Sequence, residues 1–167
     1  LEGTFNTAIQ FKSKTYAQVV TVDAYAAQIN AAMTLTDTKG VNIVGGMWSN
    51  KNSLSYSMLN IQRGTDISVA DAHFDGGGAT TGRGITAQDS MRITVRDNHF
   101  ASVHTAIAII GSTDSLVTRN GILHAAEDGI DVVDSQRVIV SANTCAHGNQ
   151  HSGSHPDCMQ IGRDRKS

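Results

Sequence analysis

Short stretches of alternating apolar and polar residues recur along the chain from Gly40 onward. Each repeated stretch has six residues, beginning with a β-branched or similar apolar residue and ending with a bulky or apolar one. The five stretches are IVGGMW (43–48), VADAHF (69–74), VRDNHF (95–100), VTRNGI (117–122) and VSANTC (140–145). Their first residues are 26, 26, 22 and 23 positions apart. A repeat of this length without intervening helical patterns is typical of a β-solenoid.

A second short strand is predicted in each repeat. These strands cover residues 58–61, 84–87, 106–109, 129–132 and 158–161. Because side chains alternate along a strand, Ile85, Ile107, Ile130 and Met159 fall on one inward-facing row.

Asparagine occupies the same place in three consecutive repeats, at Asn98, Asn120 and Asn143. Stacked amides at a corner can hydrogen-bond along the axis of the solenoid. The pattern predicts an all-β, single-stranded right-handed parallel β-helix of about five coils. A twisted antiparallel sandwich also has short strands, but it does not require a recurring asparagine.

Residues 1–39 are the least regular part of the chain. Residues 15–24 predict a strand, whereas the Ala-rich residues 23–33 fit either a short helix or a broken first coil. An exposed stack of strand edges recruits other chains, so we assign residues 1–39 to an N-terminal cap and first irregular coil. Residues 40–167 form the coils of one domain. Since no apolar cap follows the last strand, we expect a longer protein or a homo-oligomer in which a second copy covers that end.

Composition limits the classes of binding partner expected for the chain. The net charge of −2 and the 17% of charged residues give no basic footprint, so no nucleic-acid partner is expected. No apolar run approaches the roughly 18 to 20 residues that span a bilayer, so no membrane partner is expected either. Cys145 and Cys158 could pair, but the predicted register turns the first inward and the second outward. A disulfide is therefore not expected.

The candidate chemistry lies between Glu127 and Gln160. Aligning DGIDV with DCMQI places Asp128 beside Asp157 and Asp131 beside Gln160, at an offset of 29 residues. Neighbouring coils are about 4.8 Å apart, so stacked carboxylates repel unless they share a proton, a cation or a basic neighbour. Such a pair suits Ca²⁺, or separate acid and base roles. Alternatively, Asp128 and Asp157 cap the turn entering each strand, and Asp131 and Gln160 are ordinary solvated positions.

Histidines and one arginine add to this set. A glycine-rich loop carries His147, His151 and His155, and its composition favours a polar loop along a groove over a zinc site. His155 is the candidate for proton transfer, because an unperturbed imidazole has a pKa of about 6.5 and Asp157 is nearby. The alternative is that His155 only hydrogen-bonds to the backbone of its own loop. Arg83 aligns with the column of Asp128, where it could neutralise a uronate; the alternative is a solvated turn residue.

The V-x-x-N-x-I/F pattern followed by G-I-x-V resembles the pectate-lyase-like right-handed β-helices, a superfamily that includes polysaccharide lyases, epimerases and phage tailspikes. The resemblance covers residues 40–161. It implies that the asparagine ladder lies at the turn between the second and third sheets. It also implies that the G-I-x-V strands form the first sheet, whose outer face carries the substrate groove.

The DGID strand followed by HPDCMQ resembles the HPD-x-x-Q signature of tailspike-like and lyase-like bacterial β-helix proteins. The resemblance applies to Asp128, His155, Asp157 and Gln160. The chain departs from the commoner pattern at Cys158 and Met159, which are packing positions. It also has no Lys or Arg in this motif to act as the base that pectate lyases often use.

The resemblance implies a carbohydrate-active protein that acts on an acidic polysaccharide, by β-elimination or C5-epimerisation of a uronan. An extracellular, periplasmic or virion location is favoured. Hydrolysis by paired carboxylates is the nearest enzymatic alternative. A non-catalytic tailspike-like or cell-surface binding module is the competing class. The catalytic candidates are His155, Asp157 and Asp128, and the substrate-binding candidates are Asp131, Gln160, Arg83 and His151.

Overall fold

The computed structural model describes residues 1–49, 57–78, 82–146 and 157–162, and these residues form strands joined by turns. None of them lies in a helix, so this part of the chain has no helix long and apolar enough to cross a membrane. The strands are β1 (Glu2–Phe5), β2 (Ile9–Lys12), β3 (Thr15–Asp23), β4 (Ala26–Ile29), β5 (Met33–Thr36), β6 (Lys39–Val44), β7 (Met47–Ser49), β8 (Ser57–Gln62), β9 (Thr65–Ala70), β10 (His73–Asp75), β11 (Arg83–Gln88), β12 (Met91–Arg96), β13 (His99–Ala101), β14 (Thr105–Ile110), β15 (Leu116–Thr118), β16 (Gly121–Leu123), β17 (Ile130–Val133), β18 (Ile139–Ser141), β19 (Thr144–Ala146) and β20 (Met159–Gly162).

Three parallel sheets wind around one core. Sheet 1 has the order β2-β5-β8-β11-β14-β17-β20, sheet 2 runs from β3 through β6, β9, β12 and β15 to β18, and sheet 3 has the order β1-β4-β7-β10-β13-β16-β19. Each strand pairs with the strand three places later in the chain, so successive coils stack along an axis. The described strands make six complete coils and begin a seventh. The predicted right-handed parallel β-helix is confirmed.

The N-terminal segment takes part in the same sheets. The strand predicted over residues 15–24 is confirmed as β3. Residues 23–33 include β4 and the start of β5, so of the two alternatives for this segment the structure shows a coil and no helix. The division at residue 39 stays a prediction, although β1 to β5 already pair within the three sheets.

The predicted register of the repeats is confirmed. Val69 lies beside Ile43 and Val95, and the column continues through Val117 to Val140. On the inner face of sheet 3, the rings of Trp48, Phe74 and Phe100 stack with centroids 5.3 and 4.9 Å apart, and all three are fully buried. The predicted inward row of sheet 1 is confirmed as well, with Ile107 beside Ile85 and Ile130, and Met159 beside Ile130.

The asparagine ladder is also confirmed, at the turn from sheet 2 to sheet 3. The Oδ1 atom of Asn120 accepts two hydrogen bonds from Asn98, one from its backbone N–H (3.0 Å) and one from its side-chain Nδ2 (3.1 Å). The Nδ2 of Asn120 donates to the Oδ1 of Asn143 (2.9 Å) and to the carbonyl of Val95 (3.0 Å). Asn120 is 1% exposed, so these bonds replace contacts that water would otherwise make.

A second ladder, of serines, was not predicted from the sequence. It lies at the turn from sheet 1 to sheet 2. The Oγ of Ser90 accepts a hydrogen bond from the backbone N–H of Gly64 (2.9 Å). In the same way, the Oγ of Ser112 accepts one from the N–H of Ser90 (3.0 Å), and the Oγ of Ser135 accepts one from the N–H of Ser112 (3.0 Å). Each hydroxyl therefore satisfies a backbone donor one coil below it, where no strand ladder is available.

Ion pairs join neighbouring coils at the corners. Each pair is bidentate, with the guanidinium Nε and Nη2 donating to the two carboxylate oxygens of an aspartate in the preceding coil. The pairs are Arg63–Asp37, Arg92–Asp66, Arg119–Asp97 and Arg137–Asp114. All eight residues have φ between 50° and 57°, the left-handed conformation.

We predict that Asn120→Ala destabilises the protein by about 3 kcal/mol, because it leaves the buried backbone N–H of Asn98 without its partner and removes the side-chain hydrogen bonds to Asn143 and to the carbonyl of Val95. Urea unfolding followed by circular dichroism measures the loss. The control is Asn42→Ala, a half-buried asparagine on the outer face of sheet 2, which should change the stability by at most about 0.5 kcal/mol. Equal effects of the two substitutions would contradict a structural role for the ladder.

We predict that the Arg119–Asp97 pair contributes to acid sensitivity. Hydrogen bonds from Arg119 and Arg96 lower the pKa of Asp97 to about 2. A carboxyl with a lowered pKa stabilises the fold above its unfolded pKa of about 3.9, and this contribution is lost as the pH falls through the folded value. Asp97→Asn should therefore reduce stability at pH 7 and flatten its decline between about pH 4 and pH 2. Parallel stability curves for the two proteins would be inconsistent with this role.

Candidate functional site

The outer face of sheet 1 carries Asp131 and Gln160, two of the residues selected from the sequence. Asp131 of β17 lies beside Gln160 of β20, as predicted, and beside Ala108 of β14 on its other side. The row continues to Thr86 of β11. Thr86 and Ala108 are buried although they point away from the core, so this face is covered beside Asp131.

Asp131 is the half-buried carboxylate of this row. Burial raises its pKa, and the negative charge of Glu127 acts in the same direction. The positive charge of Arg83, two coils away, opposes that shift in pKa. No side-chain hydrogen bond joins Asp131 to another described residue. Its carboxyl group is thus available to a ligand and holds a proton to higher pH than an ordinary aspartate.

Asp128 and Asp157 lie one coil apart, as predicted. The Oδ1 of Asp128 accepts a hydrogen bond from the backbone N–H of Asp157 (3.4 Å), and the N–H of Gly129 donates to the carbonyl of Asp157 (2.8 Å). Asp128 is 6% exposed, whereas Asp157 is exposed. Burial raises the pKa of Asp128, the hydrogen bond from Asp157 lowers it, and neighbouring carboxylates raise it further. The contact matches the turn-capping alternative for Asp128.

A histidine–carboxylate pair completes the edge of the site, and it was not selected from the sequence. The Nδ1 of His104 lies 3.3 Å from an oxygen of Glu127, and the Oγ1 of Thr105 lies 3.4 Å from the same nitrogen. The N–H of Glu127 donates to the carbonyl of His104 (2.9 Å). The sequence contained one signal for this pair, namely its position. His104 and Glu127 directly precede Thr105 and Asp128, which share one aligned column.

Arg83 begins β11 and lies beside Thr105 of β14, as the column alignment predicts. It is half-buried. The described site therefore combines one arginine and one histidine with four carboxylates, those of Glu127, Asp128, Asp131 and Asp157. His151 and His155 lie outside the described residues, so their roles stay predictions.

The two cysteines form a disulfide, which corrects the expectation that they stay apart. Cys145 of β19 and Cys158 have Cα atoms 5.6 Å apart. The expectation extended the alternation of a strand to Cys158, but β20 begins only at Met159. Cys158 lies in the bend before it, where its side chain is free to turn toward Cys145. Gly129 leaves room for this bend, since a Cβ there would lie 2.6 Å from the carbonyl oxygen of Cys158.

A cation does not fit the described part of this site. No group of three or more His, Cys, Asp or Glu side chains among the described residues could hold a metal ion. Ca²⁺ prefers six to eight oxygen ligands, and the Asp128 carboxylate already accepts a backbone N–H.

Comparisons with known proteins agree with the fold. Residues 40–157 match the family model described as "Right handed beta helix region". The chain is similar to the crystal structure of "a putative glycosyl hydrolase" from Parabacteroides merdae, with a TM-score of 0.55 and 10% sequence identity over 83% of this chain and 82% of that one. No curated protein sequence matches the chain. At this identity the structural likeness concerns the fold alone.

We predict that the disulfide stabilises the last coil. A loop of this size gives about 3 kcal/mol, so the double variant Cys145→Ser/Cys158→Ser should unfold at a lower urea concentration, with a free energy of unfolding smaller by about 3 kcal/mol. Wild-type protein treated with reductant should match the variant. Thiol titration in denaturant without reductant is the direct check, and two reactive thiols per chain would refute the pairing.

Proposed function

Since the chain belongs to the right-handed β-helix family, we propose that it binds a polysaccharide on the outer face of sheet 1 and hydrolyses a glycosidic bond beside Asp131. The observation that carries the proposal is the half-buried Asp131 carboxyl, whose pKa is raised by burial and which contacts no described hydrogen-bond partner. A carboxyl group with a raised pKa is the general acid that glycosidic cleavage requires.

Hydrolysis by paired carboxyl groups needs a second carboxylate. We assign this role to Asp157, which is exposed and lies one coil beyond Asp128. Asp131 donates its proton to the leaving glycosidic oxygen, while Asp157 activates water or attacks the sugar. Asp128 is a positioning residue, because its carboxylate accepts the backbone N–H of Asp157. The Glu127 charge favours the protonated form of Asp131.

The charge of the described site favours hydrolysis over the lyase chemistry expected from the resemblance. Four carboxylates face one arginine and one histidine, and that histidine is paired with Glu127. With Asp131 protonated, three carboxyl groups remain beside one guanidinium, and those that are ionised repel a uronate. The similar bacterial structure, described as that of "a putative glycosyl hydrolase", is consistent with action on carbohydrate.

The second candidate function is β-elimination or C5-epimerisation of an acidic polysaccharide. Arg83 favours it, because a half-buried guanidinium whose charge reaches Asp131 could neutralise a uronate carboxylate. In that reaction His155 would exchange the proton, with His151 and Gln160 binding the sugar.

We predict that Asp131→Asn lowers hydrolysis by at least about 100-fold, because an amide cannot donate the required proton. A panel of neutral polysaccharides, pectate and alginate is incubated with the protein, and new reducing ends and unsaturated uronates are measured separately. Activity should fall as the pH rises through the raised pKa of Asp131, since the acid form is then lost. The control is Asp75→Asn on sheet 3, which should keep full activity.

The products distinguish the candidates. New reducing ends without unsaturated products support the hydrolase. Unsaturated uronates, abolished by His155→Ala, would establish the lyase instead. Binding without any product would make the protein a binding module.

A further inference from the structure

Two histidines lie side by side on the outer face of sheet 3, whereas the candidate site is on sheet 1. His73 of β10 and His99 of β13 are register partners one coil apart, and we call them the histidine pair. Their rings stack, with centroids 5.1 Å apart and planes 23° apart. The next residue in each strand, Phe74 and Phe100, is fully buried, so the alternation of the strand turns both imidazoles outward. The parallel sheet thus holds two imidazoles together at the surface.

The ring nitrogens of the histidine pair are available to a ligand. Neither ring makes a side-chain hydrogen bond or an ion pair with another described residue, in contrast to His104, which is paired with Glu127. His99 is exposed and His73 is half-buried. In its neutral form an imidazole is a common ligand of transition-metal ions, and two of them side by side can chelate one ion.

The surroundings of the histidine pair favour a transition-metal ion over Ca²⁺ or Mg²⁺. The row of register partners runs from Met47 through both histidines to Gly121, and it contains no carboxylate. Gly121 leaves room beside His99, because a Cβ there would lie 3.0 Å from the His99 Nδ1. The carboxylate of Asp75, in the same strand as His73, accepts the backbone N–H of Gly77 (2.9 Å). Two imidazoles without a carboxylate suit copper, nickel or zinc, whereas Ca²⁺ and Mg²⁺ require oxygen ligands.

A shared metal ion requires the two rings to converge. Imidazole nitrogen binds Zn²⁺ at about 2.0 to 2.1 Å, so two nitrogens that share an ion of this size lie at most about 4.2 Å apart. The ring centroids are 5.1 Å apart, and a tilt of the exposed His99 ring brings its outer nitrogen toward His73. We propose that His73 and His99 together bind one Cu²⁺ ion, with water in the remaining coordination positions. Among divalent first-row ions, Cu²⁺ has the highest affinity for nitrogen ligands, ahead of Ni²⁺ and Zn²⁺.

The test is calorimetric titration of the chelator-treated protein, with its disulfide intact, using CuCl₂, NiCl₂, ZnCl₂ and CaCl₂. We expect Cu²⁺ to bind most tightly, and the electron paramagnetic resonance spectrum of its tightest site to show coupling to two imidazole nitrogens. His73→Gln and His99→Gln should each weaken that site by at least about 100-fold, because loss of even an outer-shell partner costs about 10- to 100-fold in metal affinity. Both positions face outward and glutamine is polar, so thermal unfolding of the metal-free variants should match the wild type.

Control variants test whether copper binds at the histidine pair or at other histidines. His104→Gln removes a histidine beside the sheet 1 site, and His151→Ala/His155→Ala removes two from the loop before Asp157. Both should keep the wild-type affinity for Cu²⁺. If the tightest site is lost in the loop variant but kept in His73→Gln, the ion binds elsewhere and the proposal is overturned. It is also overturned if Cu²⁺ shows no saturable binding up to about 1 mM, or if Ca²⁺ binds more tightly, because the histidine pair is then a packing contact alone.

Discussion

Every coil of this protein lies directly over the one before it, and the other features of the structure depend on that stacking. Within the sheets, the ladder hydrogen bonds of parallel strands hold the coils together. At the corners, the backbone turns away from ladder geometry and its polar groups need other partners. Asn120 and Ser112 supply them, and the Arg119–Asp97 pair adds a bridge between side chains. In each case the partner is the equivalent position one coil away. The coil-to-coil repeat therefore provides hydrogen-bond partners for the backbone at the corners as well as in the sheets.

The corners also explain an unusual choice of residues. Among the described residues, fifteen that are not glycine have positive φ, a conformation that costs an L-residue roughly 1 to 2 kcal/mol. Aspartate tolerates this region because its short side chain can bond locally, but arginine has no such advantage. Arg63, Arg92, Arg119 and Arg137 are all in this conformation, and each forms a bidentate pair with an aspartate in the preceding coil. The pairing gives a physical reason for arginine at these positions.

Sequence reasoning succeeded where one residue type repeats at a fixed place. Asn98, Asn120 and Asn143 revealed both the register and their ladder, because buried amides have few other roles. The serine ladder has the same spacing, but serine is common at turns and its repetition carries less information. The disulfide was missed for a different reason. Strand alternation was applied to Cys158, which lies outside the strand, and side-chain direction in a bend does not follow that rule.

The candidate site is the place where the stacking changes. Asp128 and Asp157 are 29 residues apart, whereas the two preceding pairs of equivalent positions are 22 and 23 residues apart. The regular repeat alone therefore does not determine where Asp157 lies. Two contacts hold it beside Asp128: the hydrogen bond from its backbone N–H, and the disulfide that fixes the neighbouring Cys158 to β19. Both depend on close approach at Gly129, where a side chain would collide with the Cys158 backbone. A regular scaffold thus supplies Arg83, His104 and Asp131 from successive coils, and a crosslinked exception places the Asp157 backbone against Asp128.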